Sequence, residues 1–281
     1  MTRRITFSSG HRYWRSDRSP EENRALFGVW ASPYNHGHNY VLDVEVEGSV
    51  NGTTGMVVNI KRLDDLLKSR IKSVFDQRSI NDEVPALAEK SASLEHLLLF
   101  IAGEIADEHD HVRLPETPDA RDTTAVRMTG LRLEETPTLY GELLMPERTV
   151  TITRIYEFAA AHRLYSSALT EAENIALYGK CQHVHGHGHN YTLEVTVAGT
   201  PDPLTGFAVD LSALDAVVTR EILDRYDHRN LNIDVEELAG RITSSEVVTQ
   251  AIFDRLRGPL AETLRRVRLW ETPRNAFEVS A

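Results

Sequence analysis

Residues 186–199 read GHGHNYTLEVTVAG, and residues 35–48 read NHGHNYVLDVEVEG. Both stretches end in an alternation of apolar and polar side chains. In the first copy the apolar positions are Tyr40, Leu42, Val44 and Val46. Such alternation is typical of a β-strand with one face buried. We therefore predict a half-buried strand at this place in each copy.

The repeat extends along most of the 281 residues. Pairs of matching residues lie 151 positions apart: His11 and His162, His36 and His187, His38 and His189, Asp76 and Asp227, Glu95 and Glu246. The separation falls to 136 between Glu135 and Glu271. The first copy therefore carries about 15 extra residues, which we place in the loop Asp107–Thr124. We predict two domains, residues 1–147 and 148–281.

Each copy continues from strands into helices. Apolar residues recur at helical spacing in both copies, at Ile60, Leu63, Leu67, Ile71 and Val74, and at Leu211, Leu214, Val218, Ile222 and Tyr226. A second helix follows, for which Ser93 and Ser244 are candidate N-caps. Two strands, two helices and two strands predict an α+β unit, a four-stranded antiparallel sheet with two helices on one face.

Composition excludes several classes of function. Hydrophobic residues make up 41% and charged residues 26% of the chain, which is ordinary for a globular protein. The formal net charge of −11 argues against nucleic acid or an anionic membrane as a partner. An anionic small substrate would need a local cationic pocket or a metal. A single cysteine allows no intrachain disulfide and suits the cytoplasm, where we expect the protein to be.

Histidines cluster at the predicted strands. His187 and His189 are two residues apart, so both imidazoles lie on one strand face, and His162 at the end of another predicted strand supplies a third nitrogen. Three histidines with one open position are the arrangement of a catalytic zinc site. His11, His36 and His38 repeat the set in the first copy. The alternative for a His-x-His pair alone is polar strand surface.

The two copies differ in titratable groups. Cys181, His228 and Asp210 of the second copy are replaced by Trp30, Gln77 and Asn59 in the first. A lone thiol beside histidines is a candidate nucleophile or base, and the alternative is a small buried side chain. We interpret the first copy as a metal-binding, catalytically silent domain. The alternative, ordinary sequence drift at Trp30 and Gln77, predicts the same lack of activity.

Four motifs occur together in the second copy. Phe158 precedes His162 by four positions, Cys181 stands ahead of the His-Gly-His-Asn-Tyr run, YDHRNLN spans residues 226–232, and Glu271 is followed by threonine. In that order they resemble the 6-pyruvoyltetrahydropterin synthase family, which includes the 6-carboxytetrahydropterin synthases. The resemblance covers both copies. It implies two tandem T-fold units that assemble into barrels.

The resemblance also implies roles for individual residues. His162, His187 and His189 would hold zinc, and Cys181 would be the catalytic base. Asp227 and His228 would complete a proton relay, and Glu271 would anchor the pterin ring. Glu246 is a candidate for the ring pocket, with a carboxylate in the first turn of a helix as the alternative.

The family implies a phosphate-eliminating carbon–oxygen lyase. Its substrate would be 7,8-dihydroneopterin triphosphate, which loses triphosphate while its side chain tautomerises. Five residues separate Cys181 from His187, a spacing that resembles the pyruvoyl-forming branch. The alternatives are a 6-carboxytetrahydropterin synthase, an aldolase-like cleavage of dihydroneopterin, and a pterin-binding protein with structural zinc. His183 and His185 are either solvated loop residues or contacts of the triphosphate.

Family members of this kind form rings of three units stacked into six. For a tandem chain this implies a homotrimer, a pseudo-hexamer of units. Because only second copies carry both Cys181 and His228, we expect like units to pack with like. A monomer or dimer in which the two copies pack on each other is the alternative.

Overall fold

The structure, a computed structural model, describes residues 1–88, 90–117 and 125–281. Two compact units can be distinguished. The first comprises Met1–Ile152 and Ala198–Ala208, and the second comprises Thr153–Val197 and Val209–Ala281. The predicted boundary between residues 147 and 148 falls within a turn at residues 145–148. The first compact unit also takes in residues 149–152 and 198–208, and the domain division at 147/148 stays a prediction.

The first unit is built on a mixed sheet. Its strands are β1 (Thr2–His11), β2 (His36–Glu47), β3 (Arg78–Ser79), β4 (Arg127–Thr136) and β5 (Leu139–Leu144). They lie in the order β5-β4-β2-β1-β3. The four long strands pair antiparallel, as predicted, whereas the two-residue β3 pairs parallel with β1.

Helices connect these strands. They are α1 (Pro20–Phe27), α2 (Ile60–Leu67), α3 (Ser73–Phe75), α4 (Ile80–Glu83) and α5 (Leu94–Ile105). α5 packs against β4 and β5. The predicted N-cap Ser93 accepts a hydrogen bond from the His96 backbone N–H, which satisfies one of the unpaired donors of the first turn.

The second unit repeats this plan. Its strands are β6 (Thr149–His162), β7 (His187–Ala198), β8 (Arg229–Asn230), β9 (Leu264–Thr272) and β10 (Asn275–Ser280). They lie in the order β10-β9-β7-β6, with β8 pairing parallel with β6. Its helices are α6 (Glu171–Tyr178), α7 (Leu211–Val218), α8 (Asp224–Tyr226) and α9 (Ser245–Leu260). Ser244 is the residue before α9, but its side chain makes no capping hydrogen bond.

The predicted strand faces form the cores. Tyr40, Leu42 and Val44 are fully buried, and so are their counterparts Tyr191 and Leu193. Because successive side chains of a strand point to opposite faces, the polar neighbours of these inward-facing apolar residues lie on the other face. The α+β fold of two tandem T-fold units is confirmed.

The helix prediction is wrong at Ile60, which is exposed at the start of α2, and at Val74. Phe75, rather than Val74, is fully buried after α2. A π-helical turn at Lys68–Lys72 joins α2 to α3 and adds one residue to the turn. This shifts the buried face from position 74 to position 75, since a π turn bonds residues five apart.

No helix in the described residues is both long and apolar enough to cross a lipid bilayer. The insertion predicted at Asp107–Thr124 lies outside the described residues over 118–124. Before that gap, Ala106 and Val112 form an isolated antiparallel bridge.

Candidate active site and metal centres

Three imidazoles of the second unit converge where two strands meet. β6 ends at His162, and β7 begins at His187, with His189 two residues on and facing the same side. The His162 ring centroid lies 4.6 Å from that of His187 and 5.2 Å from that of His189. One ring nitrogen from each lies within 4.8 Å of the others, so the three can hold a metal ion.

The geometry of the ring nitrogens fits a zinc ion. His162 Nε2 and His187 Nε2 are 3.2 Å apart. Two nitrogens bound to zinc at 2.0–2.1 Å in a tetrahedron lie about 3.3 Å apart. His189 Nε2 is buried without a hydrogen-bond partner among the described residues. Buried polar atoms are rarely left unpaired, so this nitrogen is available for a metal.

His162 is oriented by the backbone. Its Nδ1 lies 2.7 Å from the carbonyl oxygen of Thr243, to which it can donate a hydrogen bond. Such a bond fixes the neutral tautomer that leaves Nε2 open as a ligand. Burial lowers the pKa of His162, His187 and His189, which favours the neutral imidazoles that a metal requires.

Glu271 borders the triad. Its Oε1 lies 3.6 Å from His162 Nε2 and 3.8 Å from His189 Nε2. Ser245 Oγ donates to Oε1 at 2.7 Å, and Asn275 Nδ2 donates to Oε2 at 2.8 Å. Burial raises the pKa of Glu271, but these donors and the nearby imidazoles outweigh it and leave the pKa below its ordinary value. The site therefore presents an ionised carboxylate beside the metal position.

The first unit has a triad of the same shape. β1 ends at His11, and His36 pairs with it at the start of β2. The His11 ring lies 4.4 Å from that of His36 and 5.1 Å from that of His38, between ring centroids. His11 Nδ1 lies 3.1 Å from the carbonyl oxygen of Ala92. Burial lowers the pKa of His11 to about 3 and that of His38 to about 4. This triad too can hold a metal ion.

Cys181 lies on a short 3-10 helix, Gly179–Gln182, that leads towards β7. The residue is partly exposed, and its role stays a prediction. Its carbonyl oxygen accepts a hydrogen bond from the Leu164 backbone N–H at 2.9 Å, which ties this segment to the residues that follow β6. Trp30 occupies the equivalent 3-10 helix of the first unit, Gly28–Trp30.

Asp227 and His228 form a pair at the edge of the second sheet. Asp227 Oδ2 lies 3.0 Å from His228 Nδ1, and Oδ1 accepts from the Ala159 backbone N–H at 2.8 Å. His228 adopts a positive φ of 55°, and Gln77 adopts 61° at the matching position. The His228 side chain is 82% exposed. Within the described chain the pair makes no hydrogen bond or ion pair with Cys181.

Glu246 and its counterpart Glu95 have different surroundings. Glu246 is exposed in the first turn of α9. Glu95 is 3% exposed and accepts a hydrogen bond from the Ala208 backbone N–H at 2.7 Å within the first unit. Burial raises the pKa of Glu95. The position of Glu246 fits the alternative of a first-turn carboxylate.

Two residues that hold Glu271 were not predicted from the sequence. Ser245 and Asn275 correspond to Leu94 and Leu139 in the first copy. The second copy has a hydroxyl and an amide where the first copy has two leucines. This difference between the copies could have indicated that Ser245 and Asn275 have a role. Glu135, the counterpart of Glu271, lies 3.5 Å from His38 Nε2 through its Oε1 and lacks equivalents of both donors.

The comparison with protein families matches the two copies of the repeat separately. A family model described as 6-pyruvoyl tetrahydropterin synthase matches residues 1–143 and again 151–281. The chain is 42% identical over 126 residues to the 6-pyruvoyl tetrahydrobiopterin synthase of Drosophila melanogaster, covering 44% of this chain and 75% of that protein. It is 40% identical over 125 residues to the human 6-pyruvoyl tetrahydrobiopterin synthase, covering 44% of this chain and 86% of that protein.

Two further matches are a 6-carboxytetrahydropterin synthase and a solved structure. The 6-carboxy-5,6,7,8-tetrahydropterin synthase of Haemophilus influenzae is 29% identical over 120 residues, covering 36% of this chain and 84% of that protein. The solved structure of the Caenorhabditis elegans 6-pyruvoyl tetrahydropterin synthase is 40% identical, covers 49% of this chain and 97% of that one, and superposes with a TM-score of 0.46.

Proposed function

This chain belongs to the 6-pyruvoyl tetrahydropterin synthase family, and on that premise we propose that its second unit is a zinc-dependent lyase acting on 7,8-dihydroneopterin triphosphate. The reaction would eliminate triphosphate and tautomerise the side chain to the 6-pyruvoyl product. The observation that carries the proposal is the convergence of His162, His187 and His189 with the carboxylate of Glu271.

Each group of the second unit has a role that its surroundings support. The three histidines would hold zinc, which polarises oxygens of the substrate side chain and so acidifies the adjacent C–H groups. Glu271 offers two carboxylate oxygens, which suit the paired N–H donors of an aminopyrimidine edge. Since Ser245 and Asn275 hold this carboxylate in place, little reorganisation is needed to bind the ring.

The protons would move through the remaining groups. Cys181, partly exposed, would take a proton from a side-chain carbon, since the positive charge of a nearby metal favours the thiolate. His228 would return a proton, with Asp227 fixing its tautomer through the 3.0 Å contact. Because His228 points outward, it would serve a site completed by another unit.

The product distinguishes this proposal from its alternative. A 6-carboxy product keeps one side-chain carbon, and a 6-pyruvoyl product keeps three. The higher identity to pyruvoyl-forming relatives, 40% and 42% against 29%, favours the three-carbon product. Incubation of the protein with 7,8-dihydroneopterin triphosphate, followed by mass spectrometry, tests it. A one-carbon product would assign the carboxy reaction, and unchanged substrate would contradict both.

We expect the purified protein to carry up to two zinc ions per chain. Both triads offer neutral imidazoles, and the first unit lacks the thiol and the histidine of the relay. His36→Ala should therefore remove one ion with little loss of activity, whereas His187→Ala should remove the other and abolish activity. Elemental analysis with parallel rate measurements checks both. One ion per wild-type chain would rule out a filled first site.

The assembly stays a prediction: a homotrimer in which second units complete one another's sites. Inactive Cys181→Ala chains mixed with inactive His228→Ala chains should then regain part of the activity after subunit exchange. Light scattering should report the mass of three chains. Absence of recovery after proven exchange would mean that both groups act from one chain.

A further inference from the structure

An arginine follows the first histidine of each triad, but its partners differ between the units. In the first unit Arg12 is neutralised. Its Nη atoms donate to both carboxylate oxygens of Asp82, at 2.6 and 2.7 Å, and to Asn35 Oδ1 at 2.9 Å. The hydrogen bonds from Arg12 hold the pKa of Asp82 below its ordinary value. Both Nη groups of Arg12 are therefore engaged within the protein.

In the second unit the corresponding partners are lost. Ile233 stands in the place of Asp82, and Gly186 in the place of Asn35. Neither side chain can accept a hydrogen bond. As a result, the two Nη groups of Arg163 have no hydrogen-bond partner in the described part of the chain, and their N–H donors are open to a ligand.

Arg163 is nevertheless held in place. Its backbone N–H donates to Asn232 Oδ1 at 2.7 Å, and Asn232 Nδ2 donates back to its carbonyl oxygen at 3.0 Å. Its Nε donates to the Gln182 carbonyl oxygen at 2.7 Å, and the guanidinium carbon lies 4.1 Å from the centre of the Tyr165 ring. The guanidinium of Arg163 is thus held in place, with its two Nη groups available to a ligand.

Each of the two arginines lines a cavity. The cavity at Arg12 in the first unit has a volume of about 430 Å³, and the cavity at Arg163 in the second unit has a volume of about 510 Å³. The second cavity is lined by Arg163, Arg241, His185 and Ser167 among others, and none of its described lining residues is an aspartate or glutamate. The first is lined by Arg12 and Lys90 but also by Asp17. Only the second cavity is an acid-free cationic pocket of ligand size.

We propose that this pocket, defined by Arg163, Arg241 and His185, binds the polyphosphate chain of the substrate; the identity of that substrate rests on the proposed function. Two residues that line the pocket are sequence neighbours of the triad, since Arg163 follows His162 and Gly186 precedes His187. A planar guanidinium with open N–H groups matches phosphate oxygens in pairs. In a chain of net charge −11, this local pocket supplies the positive charge that an anionic substrate needs.

The pocket would also assist the departure of the triphosphate. In the elimination, a base takes a proton from a side-chain carbon, a carbon–carbon double bond forms, and the adjacent carbon–oxygen bond breaks. The electron pair of that bond goes to the departing triphosphate oxygen. Arg163 and Arg241 would stabilise the added negative charge, so they act as binding groups whose effect extends to the leaving group.

Ile233→Asp is the decisive variant, because it restores the carboxylate that neutralises Arg12 in the first unit. Ile233 is 77% exposed, so the substitution leaves the core intact. Ile233→Asn is the matched neutral control. By calorimetry with inorganic tripolyphosphate, we expect Ile233→Asp to bind at least about tenfold more weakly than the wild type. Ile233→Asn should stay within about twofold.

The comparison separates the pocket from other sources of binding. Tripolyphosphate held by a bound metal binds equally in both variants, so only the difference between them reports the cavity; metal content is measured after each titration. With the pterin substrate, Ile233→Asp should raise KM more than Ile233→Asn does. Equal tripolyphosphate affinity in the wild type and Ile233→Asp would overturn the proposal. If Ile233→Asp binds tripolyphosphate more weakly than the wild type does, but the wild type does not turn over the pterin, the pocket stands and the proposed function is contradicted.

Discussion

Cys181→Ala is expected to lower kcat by about 10²- to 10⁴-fold, the usual contribution of a general base, while zinc stays bound. The thiol is assigned to proton abstraction and not to metal binding. Three imidazole nitrogens within 4.8 Å of one another already provide a ligand set with one position open for the substrate. Stopped assays on the zinc-loaded variant, paired with elemental analysis, measure both quantities.

Trp30→Ala is the matched control, since it truncates the residue at the same place in the first unit. It should leave kcat within about twofold, because the first unit is proposed to be silent. Loss of zinc in Cys181→Ala would make the thiol a ligand. Near-normal turnover with zinc retained would remove it from the reaction.

Glu271→Ala is expected to weaken substrate binding by about 2 to 5 kcal/mol, the usual cost of removing one partner from a buried charged hydrogen bond. That corresponds to a rise in dissociation constant of roughly 30-fold to several thousand-fold. The carboxylate is held by Ser245 and Asn275 beside the triad, so its loss leaves the ring edge without an anchor. Equilibrium binding of a non-reactive pterin measures the effect directly.

Glu135→Ala is the control for this prediction. Glu135 borders the first triad but belongs to the unit without a thiol, so binding at the catalytic site should change little. Because Glu271 also lies 3.6 Å from His162 Nε2, the zinc content of Glu271→Ala must be measured. Equal losses from both variants would indicate two working pockets or a shared one.

Much of the fold could be predicted because the relevant patterns are local. A strand places alternate residues on one face, so the apolar positions after His38 and after His189 predicted the buried faces that the structure has. The same period placed His187 and His189 together. The helix pattern was wrong at Val74, because the π turn at Lys68–Lys72 adds a residue that apolar spacing does not signal.

The candidate site could be predicted only in part. The sequence identified the metal triads, the thiol and the Asp227–His228 pair as groups of interest. It did not indicate that Ser245 and Asn275 hold Glu271, since Ser245 is separated from Glu271 by 26 positions. Nor did it indicate that the His228 side chain is 82% exposed, on a backbone with φ of 55°.

By itself, the sequence determined the duplication, the two sets of histidines and the loss of titratable groups from the first copy, because each can be read from residue identity and short-range spacing. Only the tertiary structure decided which arginine is neutralised. Arg12 binds Asp82 across 70 positions, whereas Ile233 stands at the position of Asp82 in the second copy and offers Arg163 no carboxylate. Hydrogen bonds between residues so far apart depend on strand register and packing, and no local pattern encodes these.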